Sequence, residues 1–116
     1  PVEALLINSG GRIVLPNLCL WKYKVTALAA DAVVSSRFAL LEYTGGIKRT
    51  TSAANTALIG TPSRNIDENS GFSGCSLTIT ADTSNGALKV SVVSGSASST
   101  QWGIRVEALQ MLGLAE

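Results

Sequence analysis

Chemistry in a protein needs groups that titrate near working pH, a bound metal, or a nucleophile with a base beside it. This chain of 116 residues has no histidine, so acid–base work would fall to carboxylates, lysine, tyrosine or cysteine. The carboxylates to weigh are Asp31, Glu42, Asp67, Glu68, Asp82 and Glu107. Asp67 and Glu68 stand together in a polar stretch, where a pair could serve a hydrolase or a Ca²⁺ site. The alternating oxygen ligands of a Ca²⁺ loop are missing around them, and two neighbouring acids in a loop read as solvated. "SGFSG" (70–74) has the outline of a nucleophile elbow only when shifted, because Phe72 stands where the serine should be. No glycine-rich phosphate cradle precedes a helix. Cys19 and Cys75 form no Cys-x-x-Cys pair, and without histidine a structural zinc site is implausible. Each falls on the apolar phase of an expected strand and reads as a small buried hydrophobe. A disulfide between them would need those two strands to lie close together. The expectation is no catalytic residue, no metal and no cofactor: a protein that is not an enzyme.

Binding chemistry is scarcely richer. Charged residues make up 15% of the chain and the net charge is +1, which leaves no broad electrostatic footprint for nucleic acid or anionic lipid. The densest basic spot, "IKRTT" (47–51), reads as a solvated turn. Trp21, Trp102, Tyr23, Tyr43, Phe38 and Phe72 could in principle form a sugar-stacking platform, but Trp21, Tyr23 and Trp102 fall on buried phases. Tyr43 and Phe72, beside expected turns, are the candidate surface rings. No apolar run approaches the roughly 20 residues that span a bilayer, and no basic segment leads into an apolar one as in a signal peptide. The chain starts at Pro1 without methionine, which points to processing or to a piece of something longer.

The elements that must position these groups follow a period of two. In "NLCLWKYKVTALAA" (17–30), Cys19, Trp21, Tyr23, Val25 and Ala27 share one face, and Leu18, Leu20, Lys22, Lys24 and Thr26 the other. "VEALLI" (2–7) and "RIVLP" (12–16) are short strands around the "SGG" turn. "SRFALLEYTGGIKRTT" (36–51) predicts a hairpin turning at Gly45-Gly46. "NTALIGT" (55–61) predicts a short strand and "PSRNIDENSGFSG" (62–74) a loop. Cys75, Leu77, Ile79 and Ala81 alternate up to Asn85-Gly86, which suits a two-residue type I′ turn. Leu88, Val90 and Val92 return on the buried side. After the "SGSASST" turn (94–100), "QWGIRVEALQML" (101–112) predicts a last strand, with Trp102, Ile104, Val106 and Ala108 inward. The alternation there, and in "KVTALAADAVV" (24–34), outweighs weak helical spacing. About eight or nine short strands in one domain over residues 1–116 make an all-β, antiparallel, jelly-roll-like sandwich.

An antiparallel sandwich on its own should be polar on its outer faces. Here Leu18 and Leu20 lie opposite Trp21, and Leu109, Met111, Leu112 and Leu114 lie opposite or beyond the Trp102 row. Singly, exposed leucines need no explanation. Clustered, they predict a second covered surface, with Leu18, Leu20, Leu109, Met111 and Leu112 as its contact residues.

"ITADTSNGALKVSVVSGSASSTQWGIRVEALQM" resembles a pattern of tailed-bacteriophage structural proteins. There a strand leads into an Asp-x-x-x-Gly-x-Leu-x-Val hairpin, then a Val-x-Gly turn, then a closing Trp-x-x-x-Val strand. The matching residues are Asp82, Gly86, Leu88, Val90, Gly95, Trp102 and Val106. "GRIVLPNLCLWKYKV" is similar to the family's early strand pair, and Ile47, Arg49, Leu58 and Gly60 match a further segment. The resemblance runs from Gly11 to Met111 and rests on turn glycines and core positions. It implies a β-sandwich module of phage tail fibres or tailspikes, a virion component that forms homotrimers, meets other virion proteins and in some cases contacts a host-surface glycan. It implies no catalytic residue. No fibre shaft or β-helical lyase precedes the module in this sequence, which keeps a capsid decoration or cement protein as an alternative. A carbohydrate-binding module is the second alternative.

Overall fold

A computed structural model describes residues 2–7, 10–31, 38–68, 74–93 and 100–114, with side chains from residue 11 onward. Eight strands follow one another: β1 (Val2–Ile7), β2 (Gly10–Val14), β3 (Cys19–Asp31), β4 (Phe38–Arg49), β5 (Ala57–Glu68), β6 (Ser76–Asp82), β7 (Ala87–Val93) and β8 (Thr100–Leu112). A single 3₁₀ turn at Ala53–Asn55 joins β4 to β5, and the Ser52 hydroxyl accepts from the Ala54 N–H at its start. The strands form two antiparallel sheets, one in the order β1-β8-β3-β4-β5 and the other β2-β7-β6. The pairs β1–β8 and β2–β7 are nested one inside the other, as in a jelly roll, whereas β3, β4 and β5 follow as a meander. The expected all-β sandwich is what the chain forms.

The core comes from the predicted alternation. Cys19, Trp21, Tyr23, Val25, Ala27 and Ala29 of β3 are each at most 2% exposed, and Trp102, Ile104, Val106 and Ala108 of β8 are buried beside them. Leu77, Ile79, Leu88 and Val90 of the smaller sheet meet them in one continuous cluster. Four strands run to 12 or 13 residues, about twice the usual five or six. The molecule is accordingly long, 50 × 22 × 21 Å, and its radius of gyration of 15.1 Å exceeds the roughly 13 Å of a compact chain this size.

The structure departs from the sequence reading at three turns. Gly45-Gly46 is not a hairpin. β4 runs straight through it, with Gly45 opposite Tyr23 and Gly46 opposite Lys22. A Cβ on Gly45 would stand 2.5 Å from the Tyr23 hydroxyl oxygen, so glycine serves here to admit the tyrosine ring. The segment 62–74 is not all loop, since β5 continues through it to Glu68. The strand is irregular: β5 places Gly60, Thr61 and Pro62 where β4 has Gly45 alone, between the pairs Thr44–Ser63 and Gly46–Ile59. The β6–β7 connection is a four-residue turn from Thr83 to Gly86. Only Gly86 in it has positive φ, at 63°, so it is not type I′. The Asp82 carboxylate accepts from the Ser84 and Asn85 backbone N–H groups and from the Asn85 side-chain amide. The side-chain bond from Asn85 does most to hold the Asp82 carboxyl below its ordinary range, and Arg12 at 3.7 Å adds to it.

Candidate functional site

One face of the five-stranded sheet covers the core; the other has no layer over it among the described residues. The register places its side chains in rows across the strands. From one end, the rows read Met111, Leu20, Lys48, Ala57; then Leu109, Lys22, Gly46, Ile59; then Glu107, Lys24, Thr44, Ser63. They continue with Arg105, Thr26, Glu42, Asn65; then Gly103, Leu28, Leu40, Asp67; and last Gln101, Ala30, Phe38. This outer face therefore has two apolar ends and a charged waist. Leu109 is 69% exposed and Met111 59%; Ile59 stands at the same end. Leu28, Phe38 and Leu40 are exposed at the other.

The first end is grooved. Gly46 has no side chain to fill its place in the row, and Leu20, Ile59, Leu109, Met111 and Lys22 rim a depression of about 430 Å³. The groove is held from beneath, where the Trp21 indole N–H donates to the Gln110 side-chain oxygen at 2.8 Å. At the second end Gly103 leaves bare sheet: a Cβ there would meet nothing within 4 Å. Across β3, β4 and β8 the waist holds Lys24 and Arg105 against Glu42 and Glu107, and β1 brings Glu3 into register with Glu107. Lys24 reaches Glu42 at 3.8 Å and Arg105 reaches Glu107 at 3.8 Å, both exposed pairs that contribute little to folding.

The sequence-predicted contact residues fall in different places. Leu20, Leu109 and Met111 come together on the outer face. Leu112 lies on the core phase of β8, opposite Cys19, and is 57% exposed because the strand ends there. Leu18 does not belong to the strand face at all. It sits in the turn before β3 with φ 53°, half-buried, its carbonyl accepting from the Leu114 N–H. Sequence reasoning missed Ile59, Leu28, Phe38 and Leu40 as members of this face. For Leu28 the signal was present, since it continues the Lys22–Lys24–Thr26 phase.

Tyr43 is not a surface ring. It is 4% exposed, inside the sandwich, and its hydroxyl accepts from the buried Leu77 N–H at 3.1 Å. It shares the phase of Ala39 and Leu41, which face the core. Phe72 lies outside the described residues. Nor is 47–51 a solvated turn. Ile47 is fully buried, and Arg49 turns in at the end of β4 to donate to the Leu15 carbonyl at 2.7 Å. Among the described residues no three His, Cys, Asp or Glu side chains stand close enough together to hold a metal ion.

Cys19 and Cys75 are buried and not joined by a disulfide. Cys19 opens β3 beside Arg49, whose guanidinium lies against Gly86 at the β6–β7 turn. Cys75 stands at the far end of β6, about 20 Å along that strand. Burial pushes the Cys19 thiol up, against a weaker pull from Arg49, and burial pushes the Tyr23 phenol up. Both groups are neutral when protonated, and the folded chain holds these protons to higher pH than the unfolded chain does. Their contribution is complete below the unfolded values, about 8.5 and 10, and is lost as pH rises through the folded ones. The thermal midpoint should therefore be flat near neutrality and fall in alkali. A thiol reagent at neutral pH should label Cys19 only as fast as the fold opens, and labelling at the rate of an unfolded chain would contradict its burial.

Compared with known proteins, the chain matches no family model, no curated protein and no solved structure.

Proposed function

We propose that this chain is a structural module of a bacteriophage virion, of the tail-fibre or tailspike kind, whose work is self-association rather than catalysis. The observation that carries the self-association is the outer face of the five-stranded sheet, where six large apolar side chains, Leu28, Phe38, Leu40, Ile59, Leu109 and Met111, are 46–69% exposed. Apolar side chains clustered on the uncovered face of a sheet mark a contact surface. The virion setting rests on the sequence resemblance, which implies three copies. Burial of Tyr43 removes one of the two rings on which a glycan-binding reading stood.

The test is solution mass by light scattering at micromolar concentration. The wild-type chain should run at a multiple of 12.0 kDa. Leu109→Lys with Met111→Lys should shift it to the single-chain mass with unchanged circular dichroism, weakening association by about 30-fold or more. A wild-type protein that stays at 12.0 kDa across the range contradicts the self-association reading. If the wild-type protein does associate, the chosen face is wrong if the double variant associates equally well.

A further inference from the structure

We propose that Asn85 is a site of spontaneous covalent modification, the deamidation in which asparagine closes onto the following backbone nitrogen, and that Asp82 is the brake on it. The site lies apart from the outer face of the five-stranded sheet, in the turn between β6 and β7 of the smaller sheet. The step needs no cofactor. The Gly86 backbone N–H gives its proton to hydroxide, and its nitrogen attacks Cγ of the Asn85 side chain. A bond forms between them, the Cγ–Nδ2 bond breaks, and Nδ2 leaves as ammonia with a proton from water. Water then opens the five-membered imide at either carbonyl, and the new acid passes its proton to the ammonia. One opening gives aspartate at 85; the other gives isoaspartate, in which the chain continues through the side chain. An amide becomes an acid, and the turn gains one negative charge.

Asn85 is the one asparagine of the chain that glycine follows. Leu18, Thr56 and Ile66 follow Asn17, Asn55 and Asn65, and serines follow Asn8 and Asn69. A side chain on the following residue crowds the attacking nitrogen, and glycine has none. The fold itself calls for this pair. Gly86 has φ 63°, and a Cβ there would stand 2.5 Å from the Arg49 Nη1, so the turn accepts only glycine. At 85 the turn uses an amide donor, because Asn85 Nδ2 donates to Asp82 Oδ2 at 2.8 Å. Asn85 is exposed to water and base. Beside Gly86 lies the Arg49 guanidinium, whose Nε–H has no hydrogen-bond partner among the described residues. A cation there favours the anion formed when Gly86 loses its proton. Asp82 works against the reaction. Its carboxylate accepts from the Asn85 backbone N–H at 3.1 Å as well as from Nδ2, so the side chain must leave Oδ2 before Cγ meets the Gly86 nitrogen. A hydrogen bond to a charged group slows that release by about tenfold. Conversion removes the donor and leaves two carboxylates in one turn, of which Arg12, 3.7 Å from Asp82, offsets one. Like charges so placed loosen the β6–β7 hairpin. The reaction runs one way, so the fraction converted records the age of the molecule.

The test is peptide mapping by mass spectrometry on the folded chain held at mildly alkaline pH, with isoaspartate read by enzymatic methylation. Aspartate and isoaspartate should appear at position 85 ahead of every other asparagine, and Asn85→Gln should suppress them there. The urea-unfolded chain, which lacks the Asp82 clamp, should convert about tenfold faster, and Asp82→Ala should approach that rate with unchanged circular dichroism. Asp82→Asn keeps the size of the side chain but loses the Oδ2 acceptor, and it should also speed conversion, which covers the case in which alanine opens the hairpin. A folded chain whose Asn85 is intact when the unfolded chain is fully converted overturns the site. Equal rates in the wild type and the folded Asp82 variants overturn the brake.

Discussion

Replacing Trp21 by alanine should lower the unfolding free energy by about 3–5 kcal/mol. Trp21 is 1% exposed near the start of β3, between Cys19 and Tyr23, and among the largest buried side chains of the molecule. Its removal opens a cavity that long, hydrogen-bonded neighbours on β4 and β8 cannot collapse into, and it strips the Gln110 side chain of its donor. Against the 5–15 kcal/mol that a domain of this kind has in total, the loss leaves a marginal or unfolded protein. The measurement is urea unfolding followed by far-ultraviolet circular dichroism. Leu109→Ala is the control: Leu109 is 69% exposed, and in dilute protein its truncation should cost less than about 0.5 kcal/mol. Two equal losses would mean that the two faces of the sheet have been misassigned.

The two tyrosine hydroxyls should respond in opposite ways. Tyr43→Phe should cost about 1–3 kcal/mol, because the Leu77 N–H that donates to the hydroxyl would be left buried without an acceptor. This hydrogen bond ties β4 of the larger sheet to β6 of the smaller, so its loss should appear first as faster opening of the β6–β7 hairpin in hydrogen exchange. Tyr23→Phe removes a buried hydroxyl with no hydrogen-bond partner among the described residues. The buried polar atom disappears at nearly constant volume, so the change should be neutral or stabilising. It should also soften the alkaline loss of stability, since one of the two acids raised by burial is gone. A destabilised Tyr23→Phe beside a neutral Tyr43→Phe would reverse the assignment of the two rings.

The parts of this fold that were legible from sequence are the central ones. β3 and β8 alternate for a dozen residues, and period two on a half-buried strand can be read without knowing its neighbours. What could not be read depends on which residues face each other. Gly45 looks like a turn glycine until Tyr23 is known to lie opposite it. Gly46 is the floor of a groove only because Lys22 and Ile59 flank it. β5 reads as loop beyond residue 61 because an edge strand with Pro62, Ser63, Asn65 and Asp67 buries too little to impose a pattern. Tyr43 has the core phase in the sequence, but Gly45-Gly46 beside it reads as a turn, which would put the ring at the surface. Of the outer face, Leu20, Leu109 and Met111 were found from surplus hydrophobicity. Phe38 and Leu40 were not, because their alternation with Ala39 and Leu41 does not say which side is covered.

The irregular β5 bears on how such a subunit can grow. A regular sheet margin is a template, and a second molecule can add to it strand by strand without limit. Here the margin is interrupted halfway by Gly60, with φ at 69°, and by Pro62, which has no N–H to offer. Thr61 and Pro62 of this stretch line a depression together with Leu77 and Ile79 of the smaller sheet. Lateral, open-ended polymerisation is thereby discouraged along that side. If the chain does associate as proposed, contact through the sheet face would saturate once it is filled, whereas growth along this edge would not.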